Sequence, residues 1–445
     1  MEEEGLDFAH VDATSGGILN AAALLSGVRA EELIRRWRTV RVRDFASPLP
    51  VADYLRGPWN LPALSSPEGI LTSVFPALGI DVARIRSSPV EGSFNVTDFT
   101  RKTSVALDAS AVDAEVLAAG MSLPIFMTPF RQGPAVWTDA AWIRDANITE
   151  ALDRGADEVW LIWCVGNSPY WGLGPLEQYV HMIEMSATGA LLADFAVARA
   201  AGRPFVLHVI KPEHPLPLDP EFYLGRIDAE TLIGMGYRDA TAYLAGRDPG
   251  GVSADHTSTA MTEPPPGARW TERWSSRDAL ARLTVWRPSH DRRQGRVTGF
   301  VGATGWDAPA ALADGTRTAS SPGGDWTYSG RIRRDGRWIE VSLSRGTRRS
   351  GPRGRTASLR IGAERFPVTL SVRDATHLVA SIAAFGAHGV RERAAAVVAG
   401  AGTALSSLLL RRGAAGTNDE GPRPAVRDED LEKLPRLDSN QQPFD

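Results

Sequence analysis

Cysteine and lysine are nearly missing from this chain: its 445 residues include one cysteine, Cys164, and three lysines, Lys102, Lys211 and Lys433. A lone thiol excludes a disulfide framework and a cysteine-rich zinc module. The first residues, Met1-Glu2-Glu3-Glu4-Gly5, lack the basic flank and apolar run of a signal peptide, so the cytoplasm is the expected location. There is no glycine-rich dinucleotide fingerprint, no phosphate loop and no His-Glu-x-x-His pattern among the eight histidines. His181 and Glu184 share metal-type spacing without that pattern, and His208 on an apolar strand reads as a satisfied core histidine. Neither cofactor nor metal is expected, and nucleic acid is not an expected partner. Apolar residues at 43% and a mean hydropathy of -0.18 read as a soluble globular chain, and its length suits two or three domains.

The charge is uneven. From Arg269 to Asp374 there are 21 arginines, 10 acidic residues and no lysine, although the whole chain carries a net -4. An arginine-rich solvated surface, written by a coding preference, is one reading. The other is a surface facing phosphate or anionic lipid, since guanidinium forks pair with phosphate oxygens.

Residues 1–246 alternate short apolar runs with helical patterns, as an α/β domain does. Phe8 to Asp12 reads as a strand, Thr14-Ser15-Gly16-Gly17 as a tight turn and Ile18 to Leu25 as a helix. The near-continuous apolar run Glu158 to Cys164 predicts a mid-sheet strand buried on both faces. A long helix is expected over Leu176 to Gly202 and another buried strand over Phe205 to Ile210. Residues 247–270, with Pro264-Pro265-Pro266, read as a linker. Period-two alternation over 281–286, 326–332, 338–343 and 366–372 predicts a β-rich module across 271–380. A helical segment is expected over 381–412, and a polar, proline-bearing disordered tail over 413–445. The uncharged stretch Ala394 to Leu410 is 17 residues long, at the short limit for a membrane span. Its glycines and hydroxyls favour packing on the β-rich module, with membrane-surface docking as the alternative.

A serine on a sharp strand-to-helix turn between small residues is where hydrolytic chemistry places a nucleophile, because the turn lifts the hydroxyl above the sheet. The same letters also suit a structural helix start. The segment Asp12 to Gly27, with Ser15-Gly16-Gly17, Asn20 and a small-residue helix, resembles the nucleophile elbow of patatin-like phospholipases, here a bacterial, N-terminally shortened form. Three further segments follow in that family's order: Ala118 to Pro129; Val136 to Trp160, with Asp139, Asn147 and Gly155; and Leu232 to Ala240. The resemblance implies a three-layer α/β domain followed by the β-rich domain, and a serine-aspartate dyad that hydrolyses acyl esters of lipids.

Carried over by position, Ser15 is the nucleophile, Asp139 the base and Gly16 N–H an oxyanion donor. Both dyad side chains are expected within hydrogen-bond reach and partly exposed, with Trp137 and Trp142 desolvating the aspartate. The plain alternative for Asp139 is a turn aspartate capping the next N–H. Ala13 and Ala140 stand where the family has glycine. Only 14 residues precede Ser15, so either the family's first strand and glycine-rich oxyanion loop lie upstream of this start, or they are lacking, which would leave an open sheet edge beside Phe8 to Asp12. The expected partners are a lipid or acyl-ester substrate and, peripherally, a membrane. A catalytically inactive scaffold binding lipid or a partner is the competing reading.

Overall fold

The computed structural model describes residues 2–57, 59–172, 174–216, 227–320, 325–344, 356–388 and 390–406. The expected tail over 413–445 lies outside them.

The N-terminal half has mixed α/β content. Strand β1 (His10–Thr14) leads through a turn into α1 (Gly17–Leu25) and α2 (Ala30–Trp37). The short helices α3 (Val51–Tyr54), α4 (Phe75–Leu78) and α5 (Val82–Arg86) precede β2 (Glu91–Asp98) and β3 (Thr103–Asp108). Helix α6 (Ala114–Ala119), β4 (Phe130–Gln132) and β5 (Ala135–Asp139) complete a five-stranded sheet with its helices.

Strand β2 organises this sheet. Along one edge it pairs with antiparallel β3 from Ser93 to Asp98. Along the other it pairs first with parallel β1, ending at Thr14 opposite Asn95, and then with antiparallel β5, ending at Asp139 opposite Val96. Strands β1 and β5 therefore run toward each other on one edge and meet end to end. Val11, Ala13 and Phe94 face a core built with α1, α4 and α6, which buries Ile18, Leu19, Leu78 and Leu117. Among the described residues, the outer edge of β1 pairs with no strand.

Helix α7 (Ile148–Asp153) leads to β6 (Glu158–Ile162), followed by α8 (Pro175–Ala200), β7 (Val206–Ile210) and α9 (Ala229–Gly246). Strands β6 and β7 form a separate two-stranded parallel sheet. This corrects the expectation of a mid-sheet strand buried on both faces: β6 has one strand neighbour and exposed ends, and Ile162 is 61% exposed. An apolar run reports low polarity, and here Val159 to Ile162 and Cys164 line a cleft. Helix α8 is long and apolar enough to cross a membrane, but it carries Ala187, Leu191, Phe195 and Ala198 into the core beside β7.

The chain from 247 to 266 is tied down, with the Lys211 ammonium donating to the carbonyls of Ser258 (2.8 Å) and Ala260 (2.6 Å). Strand β8 (Gly267–Ser275) begins inside the stretch read as linker. It opens an antiparallel meander of β9 (Ala279–Pro288), β10 (Gln294–Ala303), β11 (Ala310–Ala319), β12 (Trp326–Arg334), β13 (Arg337–Ser344), β14 (Thr356–Ile361) and β15 (Glu364–Thr369). The meander closes into an eight-stranded barrel through one pair, Thr369 opposite Ser275. Helix α10 (Val372–Ala380), β16 (Ala383–Phe385) and α11 (Val390–Ser406) follow, with β16 pairing to the Gly267–Arg269 end of β8.

Alternation puts Trp270, Trp274, Leu283, Val285, Tyr328 and Leu343 inside the barrel. Glu272 is buried among them and accepts from the Trp270 indole, the Trp274 indole and the Tyr328 hydroxyl at 2.8, 2.8 and 2.7 Å. A void of about 10 Å³ between Leu283, Tyr328 and Leu359 has room for one water at most, and among the described residues the interior reads as a packed core. Among the described residues the barrel's arginines are dispersed. Arg282 pairs with Glu230, Arg296 with Glu213, Arg331 with Asp314 and Arg333 with Glu4, while Arg269, Arg287 and Arg317 are buried.

Candidate active site

Ser15 follows the last residue of β1 and has a φ of 52°, in the left-handed region. For a non-glycine residue this conformation costs about 1–3 kcal/mol and persists where the surroundings fix it. Here the fixing comes from β1, from the Ile18 N–H that donates to the Ser15 carbonyl (2.9 Å), and from α1, which starts at Gly17. The turn leaves Ser15 half-buried and Gly16 and Gly17 exposed at the positive end of the α1 dipole.

The end-to-end meeting of β1 and β5 brings the expected partner to it. Ser15 Oγ donates to Asp139 Oδ2 at 2.7 Å. Asp139 Oδ1 accepts from the Ala141 N–H at 2.8 Å, which locks the carboxyl plane. The turn-cap alternative for Asp139 is thus half present: one oxygen caps the turn and the other takes the serine. Asp139 is fully buried, in contrast to the partial exposure expected of it. Burial pushes its pKa from 3.8 to about 7, against the lowering effect of the Ser15 and Ala141 hydrogen bonds. A carboxylate near neutrality is a far better proton acceptor than an exposed one.

Behind the pair, the second face of the β1–β2 sheet is polar. Asp12 Oδ2 accepts from Ser93 Oγ (2.5 Å), which also bonds His10 Nε2 (3.0 Å). Asn95 Nδ2 donates to Asp12 Oδ1 (3.2 Å) and to Thr14 Oγ1 (3.0 Å), and Asn95 Oδ1 accepts from Asn147 Nδ2 (2.9 Å). Burial pushes Asp12 to about 7 and Asp145 to about 6. Asp145 lies in the family-like segment 136–160 without a role there, and the resemblance does not reach Ser93 and Asn95. The alternation Ser93-Phe94-Asn95-Val96-Thr97 was the available signal for the latter two, since it writes a polar face beside an apolar one.

Ser15 lies on a cleft of about 2000 Å³. Trp37, Phe45, Leu123, Met127, Trp160, Trp286 and Phe385 are among its apolar walls. Its lining surface is mostly apolar, with His10, Asp12, Arg154 and Glu184 among many polar residues. His181 is occupied: its Nε2 accepts from the Gly172 N–H (2.9 Å) and its Nδ1 bonds Glu184 (2.8 Å), so the pair anchors a loop. His208 Nδ1 bonds the Tyr243 hydroxyl at 2.8 Å inside the fold. Among the described residues, no cluster of three or more His, Cys, Asp or Glu could hold a metal ion.

Residues 1–152 match the family model described as Patatin-like phospholipase, so this part of the chain is a patatin-like phospholipase domain. No curated protein matches the chain.

Proposed function

We propose that this patatin-like domain is a lipid acyl hydrolase with Ser15 as nucleophile, Asp139 as general base and the Gly16 N–H as an oxyanion donor. The observation that carries the reading is the 2.7 Å hydrogen bond from a strained turn serine to a buried carboxylate beside an apolar cleft. As Ser15 Oγ attacks the ester carbonyl, Asp139 takes its proton. The carbonyl oxygen gains negative charge beside Gly16 N–H and the α1 N-terminus. Collapse expels the alcohol, which receives the proton from Asp139 and leaves an acyl-serine. Water then attacks that ester with Asp139 again as base, releasing the fatty acid and restoring the serine. The apolar walls formed by Trp37, Phe45, Leu123 and Met127 suit an acyl chain.

The proposal includes the three-layer arrangement, a division into 1–246 and a β-rich domain that begins at β8, and a cytoplasmic enzyme that meets lipid peripherally. The test is turnover of a short-chain p-nitrophenyl ester and of phospholipid by the full chain, its Ser15→Ala variant and its Asp139→Asn variant. Both substitutions are nearly isosteric. The expected outcome is a loss of at least about 10³-fold for each with an unchanged circular dichroism spectrum. Full turnover by Ser15→Ala would move the nucleophile elsewhere. A wild-type chain without turnover on either substrate would leave the inactive scaffold as the function.

A further inference from the structure

Between β1 and β2 the chain makes an excursion that leaves large apolar side chains in solvent. Its neck is pinned by Ser47 and Ser66, whose N–H groups donate to each other's carbonyls at 3.0 and 2.8 Å. The tip is held from inside. The Tyr54 hydroxyl accepts from the Leu49 N–H (3.0 Å) and donates to the Leu64 carbonyl (3.1 Å). The Leu64 N–H in turn donates to the carbonyl of Ile125 (2.8 Å), joining the tip to the segment ahead of β4.

On this braced frame Val51 is 72% exposed, Leu55 82%, Trp59 96%, Leu64 54% and Ile125 61%. Single exposed leucines need no explanation, but five large apolar residues on two bonded segments do. Their backbone is satisfied and their frame is tied, so they are not core residues awaiting a better position.

The place and the charge identify what they meet. Phe45, just before the neck, and Met127, bridged to Ser65, both line the Ser15 cleft, so the apolar tip is continuous with its wall. Arg43 and Arg56 flank the tip with side chains 74% and 61% exposed, and the carboxylates between residues 41 and 64, Asp44 and Asp53, lie beside them. Apolar prongs flanked by two guanidinium groups, each balanced by an aspartate, match a bilayer surface, where aromatic and aliphatic side chains enter the acyl boundary while the paired charges stay at the headgroups. A tip projecting from a pinned neck also has the wrong shape for a groove that seats a protein segment.

We propose that the Val51–Leu64 tip, with Ile125, is the surface by which this protein docks on a lipid bilayer, inserting Leu55 and Trp59 so that the Ser15 cleft opens toward the lipid. This rests on the lipid hydrolase reading of the cleft, and it places docking on the N-terminal domain instead of on the arginines of the barrel. Insertion is driven by apolar burial, so its strength depends little on salt, whereas attraction through arginines weakens as the Debye length falls.

The experiment uses the full chain carrying Ser15→Ala, so that vesicles stay intact, in co-sedimentation with phosphatidylcholine vesicles at 0.1 and 1 M salt. The expected result is partitioning at both salt concentrations, reduced about 100-fold by Leu55→Ser with Trp59→Ser, since each full apolar burial contributes on the order of tenfold or more. In the Ser15 background the double variant should keep its melting temperature and its turnover of a soluble monomeric ester. Partitioning unchanged by the double variant, partitioning abolished at 1 M salt, or none by the parent overturns the docking surface. Absence of turnover on the monomeric ester by the unsubstituted chain counts against the hydrolase reading alone.

Discussion

The Asp139 carboxyl is useful as a base only when ionised, and its burial makes ionisation costly. The two facts set opposite pH dependences. With a pKa of about 7 in the fold, turnover governed by Asp139 should rise from pH 5 to 8 with an apparent midpoint near 7 and level off above it. Stability runs the other way. Asp12 and Asp139 both have pKa values raised from 3.8 to about 7, so their contribution is complete below the unfolded value and is lost as pH rises through the folded one. Melting temperature should therefore be higher at pH 5 than at pH 8, and Asp12→Asn should flatten that slope. A pH–rate profile and melting curves of both proteins check the pair of expectations. A flat profile between pH 5 and 8 would mean that Asp139 is not the group that takes the proton. None of this cost was legible beforehand, because Asp139 was expected to be partly exposed. Its burial comes from the abutment of β1 and β5 on one edge of β2, a long-range fact that no local pattern writes.

Elements were legible to the extent that their periodicity was local. The strand-turn-helix around Ser15, the helix over 175–200 and four of the eight barrel strands, β9, β12, β13 and β15, are readable from spacing and turn signals, whereas β8, β10, β11 and β14 are not. Strand β6 was misjudged because an apolar run does not distinguish a sheet interior from a cleft wall. The contact between the two halves was also invisible, because it depends on what glycine omits. Helix α9 packs on β10 and β11, where a Cβ at Gly234 would lie 3.1 Å from Gly299 N and 3.4 Å from its Cα. Gly299 itself has a φ of 142°, and β10 shifts register against β11 between Arg296 and Phe300. Around this contact Thr231 bonds Thr284 (3.2 Å), and Glu230 pairs with Arg38 (3.5 Å) and Arg282 (3.3 Å). Gly234→Val must push the helix away from backbone that cannot yield. It should cost about 1–3 kcal/mol in thermal or denaturant unfolding, with Gly234→Ala costing less. Equal stability of Gly234→Val and the parent would show that α9 is not seated closely on the barrel.

At the scale of the whole molecule, the cleft takes its walls from both halves of the sequence, from Leu6 on the N-terminal side to Val397 on the other. Of its lining the local sequence marks Ser15, but not Trp286 or Phe385, which are placed by the pairing of β9 and β16 with β8, the strand that also closes the barrel. That closure is itself slender. Seven of the barrel's eight joints are ladders of several residues, whereas the eighth is the single pair Thr369 and Ser275, reinforced by the Thr369 hydroxyl on the Ser275 carbonyl at 3.3 Å. The far end of the same β8 edge is held by β16, and α11 lies against β8 with Gly400 over Ala268. Under mechanical load such a barrel has a built-in seam. A pull applied between residues 267 and 388 strips β16 and the α10 and α11 helices from β8, with the Thr271 N–H to Ser381 Oγ bond (2.8 Å), and then meets one residue pair, so the closed barrel should first uncurl into an open sheet and only later unravel. A single-molecule extension trace should show a low-force step before the main rupture, and one cooperative rupture would show that the packed interior, and not the seam, carries the force. Tension at this end of the chain would also withdraw Ala383 to Phe385 from the cleft, which makes this wall of the cavity a part that force can remove while β1 and β5 stay paired to β2.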